Sequence, residues 1–160
     1  MKKTIPAFLL LCCFLAAAGC TGTEQATITP EYADTLDVAR EIFGPDIPEP
    51  SYLPDGYTFE NATRSPDGSI TLTYTSTAGD LQITRLSSAD APCPGPTVVG
   101  SKEWTIQGDG ILGRLVFDND DRSEGSLWLL RWGWNDESFC MTGSLPEGEI
   151  TKVAASVIGE

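Results

Sequence analysis

The chain has 160 residues, with 10 Lys and Arg against 23 Asp and Glu, a formal charge of −13 and no histidine. Nucleic-acid binding depends on Lys and Arg neutralising phosphates, and the few here stand singly among acids, so nucleic acid is excluded as a partner. The missing histidine removes the commonest general base, the Ser–His and Cys–His nucleophiles and the usual zinc ligand together. No pair among the 23 acids is singled out for glycosidase chemistry, and the reading is of a non-enzyme with no cofactor and no metal.

At the N-terminus, Lys2 and Lys3 form a charged start, Ile5 to Ala18 is apolar, and Ala17-Ala18-Gly19-Cys20 sets small residues directly before a cysteine. This is the layout of a secretory signal peptide over 1–19. A membrane-crossing helix needs about 20 apolar residues; here the stretch stops at Gly19, and the polar run Thr21 to Gln25 follows without a positive flank. The junction resembles the lipobox of prokaryotic lipoproteins, with Ala17 where that family usually has Leu. The resemblance implies a diacylglycerol thioether on Cys20 as the first mature residue, and two acyl chains are what stable anchoring takes. Plain secretion, with Cys20 free or in a disulfide, is the alternative. Loss of residues 1–19 removes two lysines and no acid, so the mature charge is 8 minus 23, or −15. The expected place is the outer face of the cell membrane, held by lipid on Cys20 against repulsion from an anionic leaflet.

Cys12 and Cys13 leave with the signal, and Cys93 and Cys140 remain. In an oxidising exterior a disulfide between them is expected. Two separate buried thiols are the alternative, and no Cys-x-x-Cys spacing supports a redox-active pair. The polar stretch 20–28 reads as a tether, and 29–160 has the length of one domain.

Within that domain, Thr29 as N-cap, Pro30 at the first position and Tyr32, Leu36, Ala39 and Phe43 on one face predict an amphipathic helix ended by Gly44. Pro45 to Pro54 holds four prolines and reads as an extended connector. Period-two patterning then predicts strands over 57–64 and 69–76, flanking the Ser65-Pro66-Asp67-Gly68 turn, in which Pro presets φ and Gly accepts positive φ. A strand over 81–86 follows. Three prolines make Ala91 to Pro96 a loop, which Cys93 would pin. Further strands are predicted over 98–107, 111–117, 126–132 and 139–143, and Ile150, Val153, Ala154 and Val157 at i, i+3, i+4 and i+7 predict a closing helix. The expected fold is α+β: a curved antiparallel sheet of six to seven strands with an N-terminal and a C-terminal helix packed on it.

Three motifs bear on function. Asp118 to Glu124 alternates oxygen ligands but fails the calcium-loop test, with Ser123 where Gly and Leu129 where Glu is required; a solvated hairpin tip is the better reading. Asn61-Ala62-Thr63 fits the N-glycosylation pattern, which is short enough to recur by chance. Trp128, Leu130, Trp132 and Trp134 share one strand face, and Trp104 lies on an earlier strand. Such a stripe is usually core under a helix. The functional alternative is an aromatic platform or apolar groove between sheet and helix, with Trp104, Trp132 and Trp134 as the candidate ligand or partner surface. Trp134, beside Asn135-Asp136-Glu137, is the one the pattern leaves most open to solvent.

From Tyr52 onward the chain resembles a prokaryotic family known only as domain of unknown function 4367. The matching pieces are Leu53-Pro54-Asp55-Gly56-Tyr57, Leu72-Thr73-Tyr74, Leu81-Gln82-Ile83, Trp104-Thr105-Ile106-Gln107-Gly108, Leu130-Arg131-Trp132 and Phe139-Cys140-Met141-Thr142-Gly143, with a closing helix, over about 52–157. The resemblance implies one curved sheet with packed helices and brings no catalytic residues. The leading expectation is a membrane-tethered sensing or binding module for a protein partner or an apolar ligand. A lipid or lipoprotein carrier with an apolar cavity and a structural surface protein are the other readings.

Overall fold

The computed structural model describes residues 31–95, 103–117 and 125–158. Cys20 with its lipobox, the tether, the Thr29-Pro30 helix start, positions 98–102 of one expected strand and the acidic 118–124 segment lie outside the described residues, as does the side chain of Trp104. The described residues form an α+β unit of one open antiparallel sheet with two helices. In chain order the elements are β1 (Glu31–Ala33), α1 (Leu36–Phe43), β2 (Thr58–Arg64), β3 (Ile70–Ser76), β4 (Gly79–Leu86), β5 (Glu103–Gly108), β6 (Ile111–Phe117), β7 (Trp128–Trp134), β8 (Glu137–Gly143) and α2 (Glu147–Val157). The sheet order is β1-β2-β3-β4-β8-β7-β6-β5, so two four-stranded meanders meet where β4 pairs with β8.

The sheet has eight strands where six to seven were expected, and the addition lies in the predicted N-terminal helix. Glu31–Ala33 pairs with β2, matching Glu31 to Arg64 and Ala33 to Ala62. The helix starts later, because Thr35 is extended and its hydroxyl accepts the Val38 amide at 3.3 Å, an N-cap with Asp37 in the first turn. Tyr32, placed on the helix face from the sequence, is a strand residue 59% exposed. Gly44 ends the helix at φ 95°, a value glycine adopts freely. Arg64 locks α1 to β2: it donates to Glu31 at 2.9 Å and to the Phe43 carbonyl at 3.1 Å, and lies 4.8 Å over the Phe43 ring.

Register carries one apolar row across both meanders. Ala62, Leu72, Ile83, Met141, Leu130 and Leu115 face each other in turn, and all are fully buried. Both helices cover this inner face, α1 over β1 and β2 and α2 over β5 and β6; Ala39 and Phe43, then Ile150, Val153 and Ala154, enter one common core. The proline-rich connector is packed as well as extended. Ile47 joins that core, and Ser51 and Tyr52 bond to α2 through the Ser156 carbonyl and hydroxyl.

The outer face is closed differently, by a strap over 87–95. Cys93 and Cys140 form a disulfide with Cα atoms 5.7 Å apart. Arg131 on β7 donates to the carbonyls of Ala89 and Ala91. Ala91 of the strap packs on Leu86 and Cys140, and the Thr71 and Thr84 hydroxyls bond at 2.9 Å. The start of the strap is tied to the Pro-Asp-Gly turn, where Asp67 accepts the amide and hydroxyl of Ser69 and the hydroxyl of Ser87. These bonds, led by the Ser69 amide, hold the Asp67 carboxyl below its usual range.

Two predictions follow from this packing. Gly113 faces Trp132, and a β-carbon there would lie 2.6 Å from the Arg131 carbonyl and 2.9 Å from Leu130 Cδ1. Gly113→Ala should therefore cost about 1–3 kcal/mol in denaturant unfolding, and an unchanged midpoint would show that the strand yields. The disulfide closes a loop with sequence separation 47, so the Cys93→Ala, Cys140→Ala double variant should lose about 4 kcal/mol in the chain-entropy account, read as a lower denaturant midpoint.

Candidate functional site

Strand alternation puts Trp128, Leu130, Trp132 and Trp134 on the inner face, yet the helix cover does not extend over all four. Trp128 is fully buried. Trp132 is 3% exposed and stacks on Phe139 with ring centroids 5.4 Å apart. It is a core residue and leaves the candidate surface, because the facing Gly113 and the cross-strand Phe139 give its indole a closed slot. The indole N–H groups of both residues are buried without a partner among the described residues; these side chains serve as volume. Trp104 is opposite Leu115 in register, which says nothing of its side chain.

Trp134 differs, being 42% exposed at the last position of β7. Two tight turns flank it. Asn135 (φ 48°) and Asp136 (φ 66°) join β7 to β8, and Asp109 (φ 49°) and Gly110 (φ 77°) join β5 to β6. Positive φ at both central residues suits the right-handed twist of a hairpin, and Asn, Asp and Gly tolerate it best. Across from these turns lies the C-terminal end of α2. Two adjoining depressions result, both lined by Trp134 and Ile158. One, of about 470 Å³, adds Ser51, Asp109 and Ser156; the other, of about 230 Å³, adds Ile47, Pro48, Phe139, Asp46 and Glu137.

The walls of this mouth are held by polar bonds between the connector and α2. The Tyr52 hydroxyl donates to Glu149 at 2.6 Å and Lys152 pairs with the same carboxylate at 3.0 Å. The Tyr52 bond, seconded by Lys152, keeps the Glu149 carboxyl below its usual range and raises the Tyr52 hydroxyl. Thr151 on α2 donates to Asp109 at 2.9 Å, fixing the β5–β6 turn against the helix. Arg85 reaches Glu137 at 3.3 Å.

Chemically the mouth offers one indole, a mixed polar and apolar lining and several carboxylates. Among the described residues no group of three His, Cys, Asp or Glu is placed to hold a metal ion, and no helix is long and apolar enough to cross a membrane. A second, flatter groove of about 330 Å³ lies on the outer face beside Leu112, Arg114 and Arg131, but Arg131 is committed to the strap. Comparison with known proteins found no matching family model, no matching curated protein and no matching solved structure.

Sequence reasoning did not find Asp46, Asp109 or Ile158. The Asp109-Gly110 dipeptide signals a hairpin, but only the packing of α2 across the sheet brings that hairpin next to Trp134. Trp134→Phe should sharply reduce the part of the tryptophan fluorescence that acrylamide quenches, with little loss of stability. An unchanged quenching profile would place the indole inside.

Proposed function

We propose that the protein is a lipid-anchored extracytoplasmic binding module that holds a ligand at the Trp134 mouth and performs no reaction itself. The observation that carries this reading is the placement of a large aromatic side chain, 42% exposed, at the junction of two depressions that also hold Ile47, Phe139 and Ile158. Leaving such a surface in water forgoes about 25 cal/mol for each Å² of apolar area that could be covered, and ligand sites are typically concave and apolar with a few polar groups.

Three sequence features support the remainder. Ala17-Ala18-Gly19-Cys20 after an apolar stretch supports the anchor, the absence of histidine argues against hydrolytic chemistry, and the pieces resembling domain of unknown function 4367 bring a module without catalytic residues. The carrier reading asks for a deep apolar cavity. Trp128, Leu115, Leu130, Ile83 and Met141 fill the helix-covered face, which argues for a rim site instead.

Two measurements test the two halves of the proposal. Mass spectrometry of the mature N-terminus should find diacylglycerol on Cys20, and Cys20→Ala should move the protein out of the membrane fraction; a variant that stayed there would refute the anchor. The neutral apolar dye N-phenyl-1-naphthylamine should brighten on binding the full-length protein held in a neutral detergent, and Trp134→Ala should weaken that binding about tenfold, or about 1.4 kcal/mol. Equal binding by wild type and variant would remove the site.

A further inference from the structure

The mouth has a consistent electrostatic sign. Asp46 and Glu137 line one depression and Asp109 the other, with the exposed Asp136 in the turn between β7 and β8. Arg85 lines the same depression as Asp46 and Glu137 and is paired with Glu137, which leaves Asp46 and Asp109 as the acids that set the sign. Lys152, the cation that acts on Asp109 from α2, is paired with Glu149. The C-terminal end of α2 points its negative dipole end toward the same place and carries no basic residue in its last turn. A chain of charge −13 deepens the local field. An indole on a mixed polar and apolar lining, beside Asp46, Asp109 and an ion-paired Glu137, is complementary to a group that is both greasy and positively charged: aliphatic carbon stacks on the indole, and a cation gains from its face and from the carboxylates.

Resting on the binding reading above, we propose that the Trp134 mouth docks a basic segment of a partner protein, seating an aliphatic side chain on the indole and Lys or Arg heads against Asp46 and Asp109. A protein segment fits better than a small cation because the two depressions are open and adjoin over Trp134 and Ile158, a shape that follows an extended chain. The long stems of Lys and Arg supply apolar contact and charge in one side chain. Opposite charge steers the encounter, and the apolar contact slows dissociation.

The test uses the full-length mature protein in a neutral detergent and three synthetic peptides: acetyl-Lys-Leu-Lys-Ile-Lys-Gly-amide, its counterpart with Glu for every Lys, and its counterpart with Gly for Leu and Ile. Isothermal titration should show binding of the first, with the other two at least about tenfold weaker. Trp134→Ala, which leaves the charge unchanged, and the Asp46→Asn, Asp109→Asn pair should each weaken the first peptide by a similar factor. Glu60→Gln with Asp80→Asn, exposed acids elsewhere on the chain, should leave it unaltered. Raising the salt should weaken it progressively.

The inference is overturned if no peptide binds, if the acidic peptide binds as well as the basic one, or if the remote acids matter as much as Asp46 and Asp109. The last result would mean general attraction to an acidic protein. Trp134-dependent binding of N-phenyl-1-naphthylamine alongside any of these outcomes would keep the mouth as an apolar site while removing the basic partner. Loss of both would remove the site itself.

Discussion

The pairing of β4 with β8 joins two meanders that are each local in sequence, and nearly everything else hangs on that seam. Ile83 opposite Met141 continues the buried row from β2 and β3 into β7 and β6, and Thr84 opposite Cys140 sets the register of the outer face at the same step. A slip of one residue would turn every one of these side chains to the wrong face. The disulfide lies on this seam, since Cys140 is a β8 residue and Cys93 belongs to the strap that leaves β4. Arg131, one strand further on, holds the same strap by its carbonyls. Covalent and hydrogen-bond restraints are therefore concentrated where the chain brings distant segments together, and where closing the loop costs most entropy.

That arrangement explains why the candidate site is at the rim. A sheet of this width has more inner face than two short helices can cover, and the eight-residue α1 and eleven-residue α2 take the outer pair of strands of each meander. The connector fills the middle with Ile47. What is left is the tip of β7, beyond the end of α2, where the tryptophan stripe continues after its cover has stopped. The indoles of Trp132 and Trp134 are two residues apart on one strand face, yet one is enclosed and the other meets solvent. Burial here is decided by the slot that Gly113 and Phe139 form around Trp132 and that does not extend to the strand's last residue.

Much of the fold was legible residue by residue. Alternation in Ile70 to Ser76 marks a strand because a pleated chain has period two, and the Pro-Asp-Gly turn marks its hairpin because Pro and Gly each supply a φ the turn needs. The stretch from Thr29 to Ala33 was read as helix because Tyr32 continues the apolar spacing of Leu36, Ala39 and Phe43. Backbone bonds to β2 claim residues 31–33 instead, and local spacing carries no information about an unpaired edge 30 residues away in sequence. The candidate site was legible only in Trp134. Asp46, Asp109 and Ile158 come from three separate segments, and no pattern within any of them points to the others.

Sequence alone determined the local and chemical properties: acidity, the absence of histidine, the cysteine count, the strand and helix periods and the turn residues. These depend on side chains and on neighbours a few positions away. Tertiary structure alone decided that β4 meets β8, that the proline-rich connector packs into the core and against α2, that Trp132 is enclosed while Trp134 is open, and that acids from distant turns gather around it. Those outcomes depend on which distant surfaces exclude water from each other, a property of the assembled layers.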